Sequence, residues 1–349
     1  MPDKKLPGQD AERYKDRLAK LPPSNPPLSP FSPLPRSLPP IVPRNPGRST
    51  RIMSILNVTP DSFSDGGNNY DSDKATLTAT IRSHITAGAT IIDIGGQSTR
   101  PGAEQVSSEE ELARVLPALK IIRSLPEAEN IAISIDTYHA SVARAAIEAG
   151  ADMINDISAG QLDPLMLSTV AELGCTICLM HMRGTPETMN TLTDYGLRGV
   201  VSTVSYELGQ RVREAEAAGI RRWRIMVDPG IGFAKTQDQN ITLIRQLRHI
   251  RQSRNLLGLP WLVGASRKGF IGKITGVEDP EKRVGGTAAV VTASIMQGVD
   301  IVRVHDVEIM AQVAKMADAL YNPQLRHRAE IAAGNRKSYK EKRIILPKE

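Results

Sequence analysis

Between Thr90 and Leu119 the chain reads TIIDIGGQSTRPGAEQVSSEEELARVLPAL. It opens on an apolar run, Thr90–Ile94, and passes through a polar, glycine-bearing segment. Ser107 and Glu110 then have the spacing of a capping box, which marks a helix start. Leu112, Val115, Leu116 and Leu119 follow at i, i+3, i+4 and i+7, one face of a helix. A strand that is apolar throughout, instead of alternating, is what a parallel strand buried on both faces requires. The unit is strand, loop, helix.

The same unit recurs from Arg51 onward. Apolar runs stand at Ile52–Leu56, Thr90–Ile94, Ile131–Ile135, Met153–Ile154, Thr176–Met180, Ile225–Val227, Trp261–Val263 and Ile301–Val304. Helical patterns lie between them, at 73–88, 107–119, 138–149, 163–173, 195–218, 238–250, 281–297 and 306–320. Eight strands alternating with eight helices over residues 51–321 match the size of a (β/α)8 TIM barrel, typically about 250 residues. The predicted class is α/β, with a doubly wound open sheet as the alternative.

The flanks read differently. Eleven prolines between Leu21 and Pro46 forbid helix and sheet alike. Residues 1–50 are therefore read as a proline-rich, disordered arm, 51–321 as the barrel and 322–349 as a basic tail. Asp3, Asp10, Glu12 and Asp16 make the arm a poor transit peptide, and it lacks the apolar core of a secretory signal. Of the net charge of +6, each flank carries +5, which leaves −4 on 51–321. A nucleic-acid binder places its positive charge on a folded face, so no nucleic-acid partner is expected. With no apolar stretch of about 18 residues, no membrane partner is expected either.

Cys175 and Cys178 have the C-x-x-C spacing of redox and zinc sites. They fall in an apolar strand, however, where residues three apart point to opposite faces. Two buried, inert thiols in a reducing compartment are the expectation.

In a barrel of this kind the site forms where the strands end, and here the strand ends are polar. They read Asn57-Val-Thr-Pro-Asp-Ser-Phe-Ser-Asp-Gly-Gly67, Asp93-Ile-Gly-Gly-Gln-Ser-Thr-Arg-Pro-Gly102, Asp136-Thr137, Asn155-Asp156, His181, Asp228-Pro-Gly-Ile-Gly232, Ser266-Arg-Lys268 and Arg303-Val-His-Asp306. Taken singly, Asp136 and Asn155 suit helix caps, Asp228 suits a turn, and Arg267 and Lys268 suit solvent. Taken together they form two groups. Asp136, Asn155 and Asp228 suit a heterocycle with several N–H donors. Arg100, Lys268, Arg303 and His305 suit phosphate oxygens.

These segments, with Ser134-Ile-Asp-Thr137, Asn155-Asp-Ile157 and Asp228-Pro-Gly-Ile-Gly-Phe233, resemble the signature motifs of dihydropteroate synthase across 51–320. The resemblance implies a transferase of folate biosynthesis, from a family that sulfonamides target. It joins 6-hydroxymethyl-7,8-dihydropterin pyrophosphate to 4-aminobenzoate and releases pyrophosphate. It implies a pterin site of Asp136, Asn155, Met180, Asp228, Phe233 and Lys268, with Asp136 and Lys268 catalytic. Arg100, Arg303, His305 and Asn57 would hold the pyrophosphate, and Asn57 a Mg²⁺. Phe63, Ser98, Thr99, Pro101 and Ser266 would line the 4-aminobenzoate pocket, with the loops 58–70 and 96–108 closing over the anion.

Gln97 departs from the commoner Glu of the second motif. With the proline-rich leader, it resembles the fungal branch, where this domain follows other pterin-processing domains in one chain. A homodimer and a cytoplasmic location are expected, with the mitochondrion as the alternative. The competing readings are a corrinoid-linked methyltransferase of the same fold and a pterin-binding module without turnover.

Overall fold

Every apolar run becomes a parallel strand. These are β1 (Arg51–Asn57), β2 (Ile91–Gly95), β3 (Ala132–Asp136), β4 (Met153–Asp156), β5 (Thr176–Met180), β6 (Ile225–Asp228), β7 (Leu262–Val263) and β8 (Ile301–Val304). The computed structural model describes residues 49–58, 70–97 and 105–322, all within one compact unit. Neighbouring strands follow the order β6-β5-β4-β3-β2-β1-β8-β7. A parallel bridge between Val227 and Trp261 joins the two ends, and Val227 N–H donates to the Pro260 carbonyl at 3.0 Å. The sheet closes on itself, which excludes the open-sheet alternative.

Closure sorts side chains by parity, because successive residues of a strand face opposite ways. One residue from each strand fills the barrel's small inner core: Met53, Ile91, Ala132, Met153, Cys178, Met226, Leu262 and Ile301. Their neighbours, among them Ile92, Ile133, Ile177 and Val302, face outward into the larger layer against the helices. Moving two residues toward the carboxyl ends keeps the inward parity and reaches Asp93, Asn155, Met180, Asp228 and Arg303. A further two reach Asn57 and Asp136. The polar strand ends therefore share the barrel mouth by register.

The two cysteines part as expected. Cys178 lies in the inner core and Cys175 in the outer layer. Burial pushes the Cys175 thiol up to about 12 and that of Cys178 well above its ordinary value, so both stay protonated.

The helices are α1 (Tyr70–Thr86), α2 (Ser108–Ser124), α3 (Ala140–Glu148), α4 (Met166–Leu173), α5 (Gly199–Ala217), α6 (Gln237–Arg251), α7 (Gly269–Thr275), α8 (Val284–Met296) and α9 (Val307–Tyr321). The short α7 was not foreseen; it inserts between β7 and α8. At α2 half of the expected capping box forms. Ser107 Oγ accepts from Glu110 N–H at 3.2 Å, while the Glu110 carboxylate pairs with Arg114 instead. The complete capping box lies on α6, where Thr236 and Gln239 exchange bonds of 2.8 and 3.3 Å.

Candidate active site

Arg303, on β8, organises the mouth. Its Nε donates to Asp93 Oδ2 and its Nη2 to Asp136 Oδ2, both at 2.6 Å. Asn155 Nδ2 donates to the same Asp93 oxygen at 3.1 Å. One guanidinium thus joins β8 to β2 and β3, and the asparagine adds β4. Burial pushes the Asp136 carboxyl up, against the pull of Arg303. Arg303 is itself lowered by burial, but Asp93 and Asp136 outweigh this and hold it above its ordinary value.

Asp136 is therefore no helix cap. His139 occupies the N-cap position of α3, and the Ala140 N–H is taken by Asp163 Oδ2 at 2.7 Å. Asp163 comes from the loop after β4 and so frees Asp136 for the mouth.

Asp228 both closes a turn and faces the mouth. Its Oδ1 accepts from Gly230 N–H at 2.7 Å. Burial pushes it up to about 6, opposed by that N–H and by Lys268, Lys235 and Arg303. Gly264 separates it from Arg303: a Cβ there would stand 3.7 Å from Arg303 and 3.9 Å from Asp228 Oδ2.

Lys268, just before α7, crosses this space with Nζ 3.9 Å from the Phe233 ring centroid, a cation–π contact. Burial draws it down to about 8, with Arg303 adding and Asp228 and Asp136 opposing. Gly232, at φ +82°, makes room, since a Cβ there would meet Lys268 Cδ at 2.9 Å. Tyr138, Ile157, Met180, Met182, Met189, Phe233 and Ala234 form an apolar wall on this side.

At the ends of β7 and β8, Ser266 Oγ accepts from His305 N–H at 3.2 Å and lies 3.0 Å from His305 Nδ1. Burial, with Arg267 and Arg303 nearby, draws His305 down to about 4. That shift favours the neutral imidazole near pH 7. Arg267 is only partly exposed and pairs with Asp306 at 2.6 Å. Asn57 is exposed at the end of β1, its Oδ1 3.4 Å from where a Gly95 Cβ would stand. Gly95 in turn pairs with Asp136 in the β2–β3 register.

The mouth thus gathers Asn57, Asp136, Asn155, Met180, Asp228, Phe233, Ser266, Lys268, Arg303 and His305. Phe63, Ser98, Thr99, Arg100 and Pro101 lie outside the described residues. Asp93 and Lys235 were given no role by the sequence reading. The signal for Asp93 was present, as an acid of inward parity inside an apolar run. Gln97 also acquires a reason: its Oε1 accepts from Tyr138 OH at 3.2 Å, and its Nε2 lies 3.5 Å from Glu111 Oε2. Glu111 is fully buried, and beside it an amide donates where a second carboxylate would repel.

The mouth has an acceptor-rich floor, an apolar wall and a cationic rim, and it sits on the residues that the pterin binding enzyme family profile matches, 53–305. The chain belongs to the pterin binding enzyme family. Within that family it is 51% identical to a dihydropteroate synthase of Synechocystis over 79% of this chain and 91% of that protein. It is 50% identical to a folic acid synthesis protein of Pneumocystis carinii over 78% of this chain, but spans only 36% of that protein. A mitochondrial bifunctional folate synthesis protein of Arabidopsis thaliana is 48% identical and is covered over 50% of its length. Among solved structures, a dihydropteroate synthase of Clostridium difficile crystallised in the presence of pteroic acid superimposes with a TM-score of 0.72 at 39% identity. That match covers 79% of this chain and 98% of the other. A Xanthomonas albilineans dihydropteroate synthase with 4-aminobenzoic acid gives 0.69, also at 39%, covering 78% and 93%.

Proposed function

We propose that this chain is a dihydropteroate synthase that condenses 6-hydroxymethyl-7,8-dihydropterin pyrophosphate with 4-aminobenzoate to give 7,8-dihydropteroate and pyrophosphate. The observation that carries the proposal is the meeting of Asp228, Asn155 and Lys268 beside Phe233 and Met180, with Arg303 and His305 at the rim. Asp228 accepts the paired N–H groups of the pyrimidine edge, and Asn155 bonds the same edge. Lys268 donates to the ring carbonyl and nitrogen, while Phe233 and Met180 pack on the ring.

The bond from the pterin methylene carbon to the pyrophosphate oxygen breaks, and its electron pair leaves with the anion. Arg303 spends two of its five N–H donors on Asp93 and Asp136 and turns others to the anion's oxygens. Asp136 lies where positive charge develops on the pterin. Fixed charge aimed at developing charge is often the largest catalytic term. The aromatic amine then attacks the methylene carbon and sheds a proton. Ser266, with Phe63, Ser98, Thr99 and Pro101, shapes the benzoate pocket, and Arg100 adds a cation to the anion side.

Asn57 offers one amide oxygen beside this path. Among the described residues no group of three His, Cys, Asp or Glu stands ready for a metal. The donor set fits a Mg²⁺ that keeps its waters and arrives on the pyrophosphate, since Mg²⁺ takes few protein ligands and prefers substrate phosphates. Bound there, it would neutralise the departing charge.

A homodimer is supported by the face of α9, where Ile309, Met316 and Leu320 are about half exposed at helical spacing; light scattering tests it. The cytoplasm is the proposed compartment and the mitochondrion the alternative, to be settled by fractionation. Fusion to other folate-pathway domains is supported by the longer fungal and plant relatives.

The deciding assay is pyrophosphate release on mixing the chain with both substrates and Mg²⁺. Silence from a folded sample that still binds pterin would establish a module without turnover.

A further inference from the structure

Two residues beyond the Asp228–Phe233 turn stands an amine that the chemistry above does not use. A lysine just before a helix is ordinarily a solvated charge, yet Lys235 points inward. Its Nζ donates to the Phe233 carbonyl at 2.8 Å and lies 3.1 Å from His181 Nδ1 and 3.4 Å from the His181 carbonyl. An ammonium has donors only, so Nδ1 must accept and the imidazole proton must sit on Nε2. That nitrogen faces Glu207 Oε2 at 2.8 Å, and Arg183 holds Glu207 with bonds of 3.1 and 2.5 Å. The His181 tautomer is thereby set from both sides.

The same contacts brace the turn that reads the pterin. His181 N–H donates to the Asp228 carbonyl at 2.9 Å, and Lys235 grips the carbonyl at the turn's other end. Between them Gly230, at φ +67°, runs so close that a Cβ would lie 1.9 Å from the His181 oxygen and 3.3 Å from Lys235 Nζ. The ammonium therefore sits directly behind the turn that carries Asp228 and Phe233.

We propose that Lys235 is a positioning residue for pterin recognition: its ammonium ties the Asp228–Phe233 turn to His181 and supplies the positive charge behind Asp228 that favours the carboxylate. The inference rests on reading Asp228 as the acceptor of the pterin N–H groups. Several groups bear on Asp228. Lys268 approaches from the loop after β7, Arg303 from β8, the Gly230 N–H from its own turn, the Cys178 thiol from β5, and Lys235 from behind. Lys235 in turn faces Asp228, His181, Glu207, Arg183 and Lys268. Burial pushes Asp228 up to about 6 and draws Lys235 down to about 7. Deleting one of three nearby cations raises Asp228 further. A protonated Asp228 no longer accepts both N–H groups, so the acid limit of pterin binding moves to higher pH.

The experiment is calorimetric titration of 6-hydroxymethylpterin into the full chain from about pH 5 to about pH 9, for wild type, Lys235→Met and Lys235→Gln. Wild type is expected to lose affinity as pH falls through about 6. Lys235→Met is expected to bind more weakly at every pH and to show its acid limb about one unit higher, a further loss of about twofold at pH 7 that grows to about tenfold near pH 5. Lys235→Gln keeps donors for the two carbonyls without the charge. It should regain wild-type affinity at high pH yet keep the displaced limb, and it decides alone if the methionine variant does not fold. A variant curve that superimposes on wild type overturns the role of Lys235, as does a uniform loss with an unmoved limb in both variants. If wild type itself fails to bind pterin at any pH, the reading of Asp228 falls instead.

Discussion

Arg303 compensates two carboxylates at once, and its removal reaches further than the rim of the mouth. Arg303→Ala leaves Asp93, fully buried, and Asp136, nearly so, without their cation. Breaking a buried pair in this way costs about 3–5 kcal/mol. Urea unfolding at about pH 8 should show that loss. It should shrink on acidification, because Asp136, whose carboxyl burial pushes up, regains stability by taking up a proton. Asn155 bonds the same oxygen of Asp93 as Arg303 does, so calorimetry should find free pterin binding weakened as well. Selective loss of the pyrophosphate substrate would show that the two halves of the mouth are independent. Asp228→Ala is the complementary test. It leaves the pterin N–H donors unpaired, at a cost of about 1–3 kcal/mol or more, and unchanged pterin affinity would mean that the floor has been misassigned.

Among the elements, the turn from β6 into α6 carries the most consequence for its length. Gly230 cannot become alanine without driving a Cβ into the His181 carbonyl at 1.9 Å. Gly230→Ala is expected to abolish pterin binding and to lower the unfolding midpoint. A binding-competent variant would show that the turn can swing away from β5. At the helix start that follows, Thr236→Ala removes a complete capping box and should cost about 1 kcal/mol while leaving pterin affinity within about twofold, since the cap holds the helix and Lys235 holds the turn. Chemical denaturation and titration of the same sample separate the two effects. The Cys pair was legible at this scale, since strand parity alone placed the two thiols in different layers. The α3 cap was not legible: Asp163, which supplies it, follows Asp136 by a whole strand and meets Ala140 only in the folded barrel.

For the molecule as a whole, acid sensitivity follows from imidazoles kept neutral by burial. His181 is drawn from its ordinary 6.5 down to about 4, chiefly by burial and then by Lys235. Its folded pKa lies below its unfolded one, so its share of stability is present above about 6.5 and is lost as pH falls toward about 4. Below 6.5 the unfolded chain binds a proton that the native state refuses. His181→Gln should flatten the wild-type dependence across that window by up to about 1.4 kcal/mol per pH unit, read from urea midpoints at successive pH values. Parallel curves would place the proton uptake elsewhere.

The sequence by itself determined eight parallel strands alternating with helices, because apolar runs separated by amphipathic helices leave few ways to bury both faces of every strand. Closure into a barrel was decided by the bridge between Val227 and Trp261. The sequence also determined most of the mouth, because strand parity carries Asp136, Asn155, Asp228 and Arg303 inward once the sheet closes. What the tertiary structure decided was pairing. Asp93 draws its role from an arginine 210 residues away, Gln97 from a buried Glu111, and Lys235 from His181 and Glu207 on other elements. Hydrophobic periodicity is local and can be read along the chain. The partner of a charged group is set by the closing of the barrel, which brings distant segments within hydrogen-bond reach.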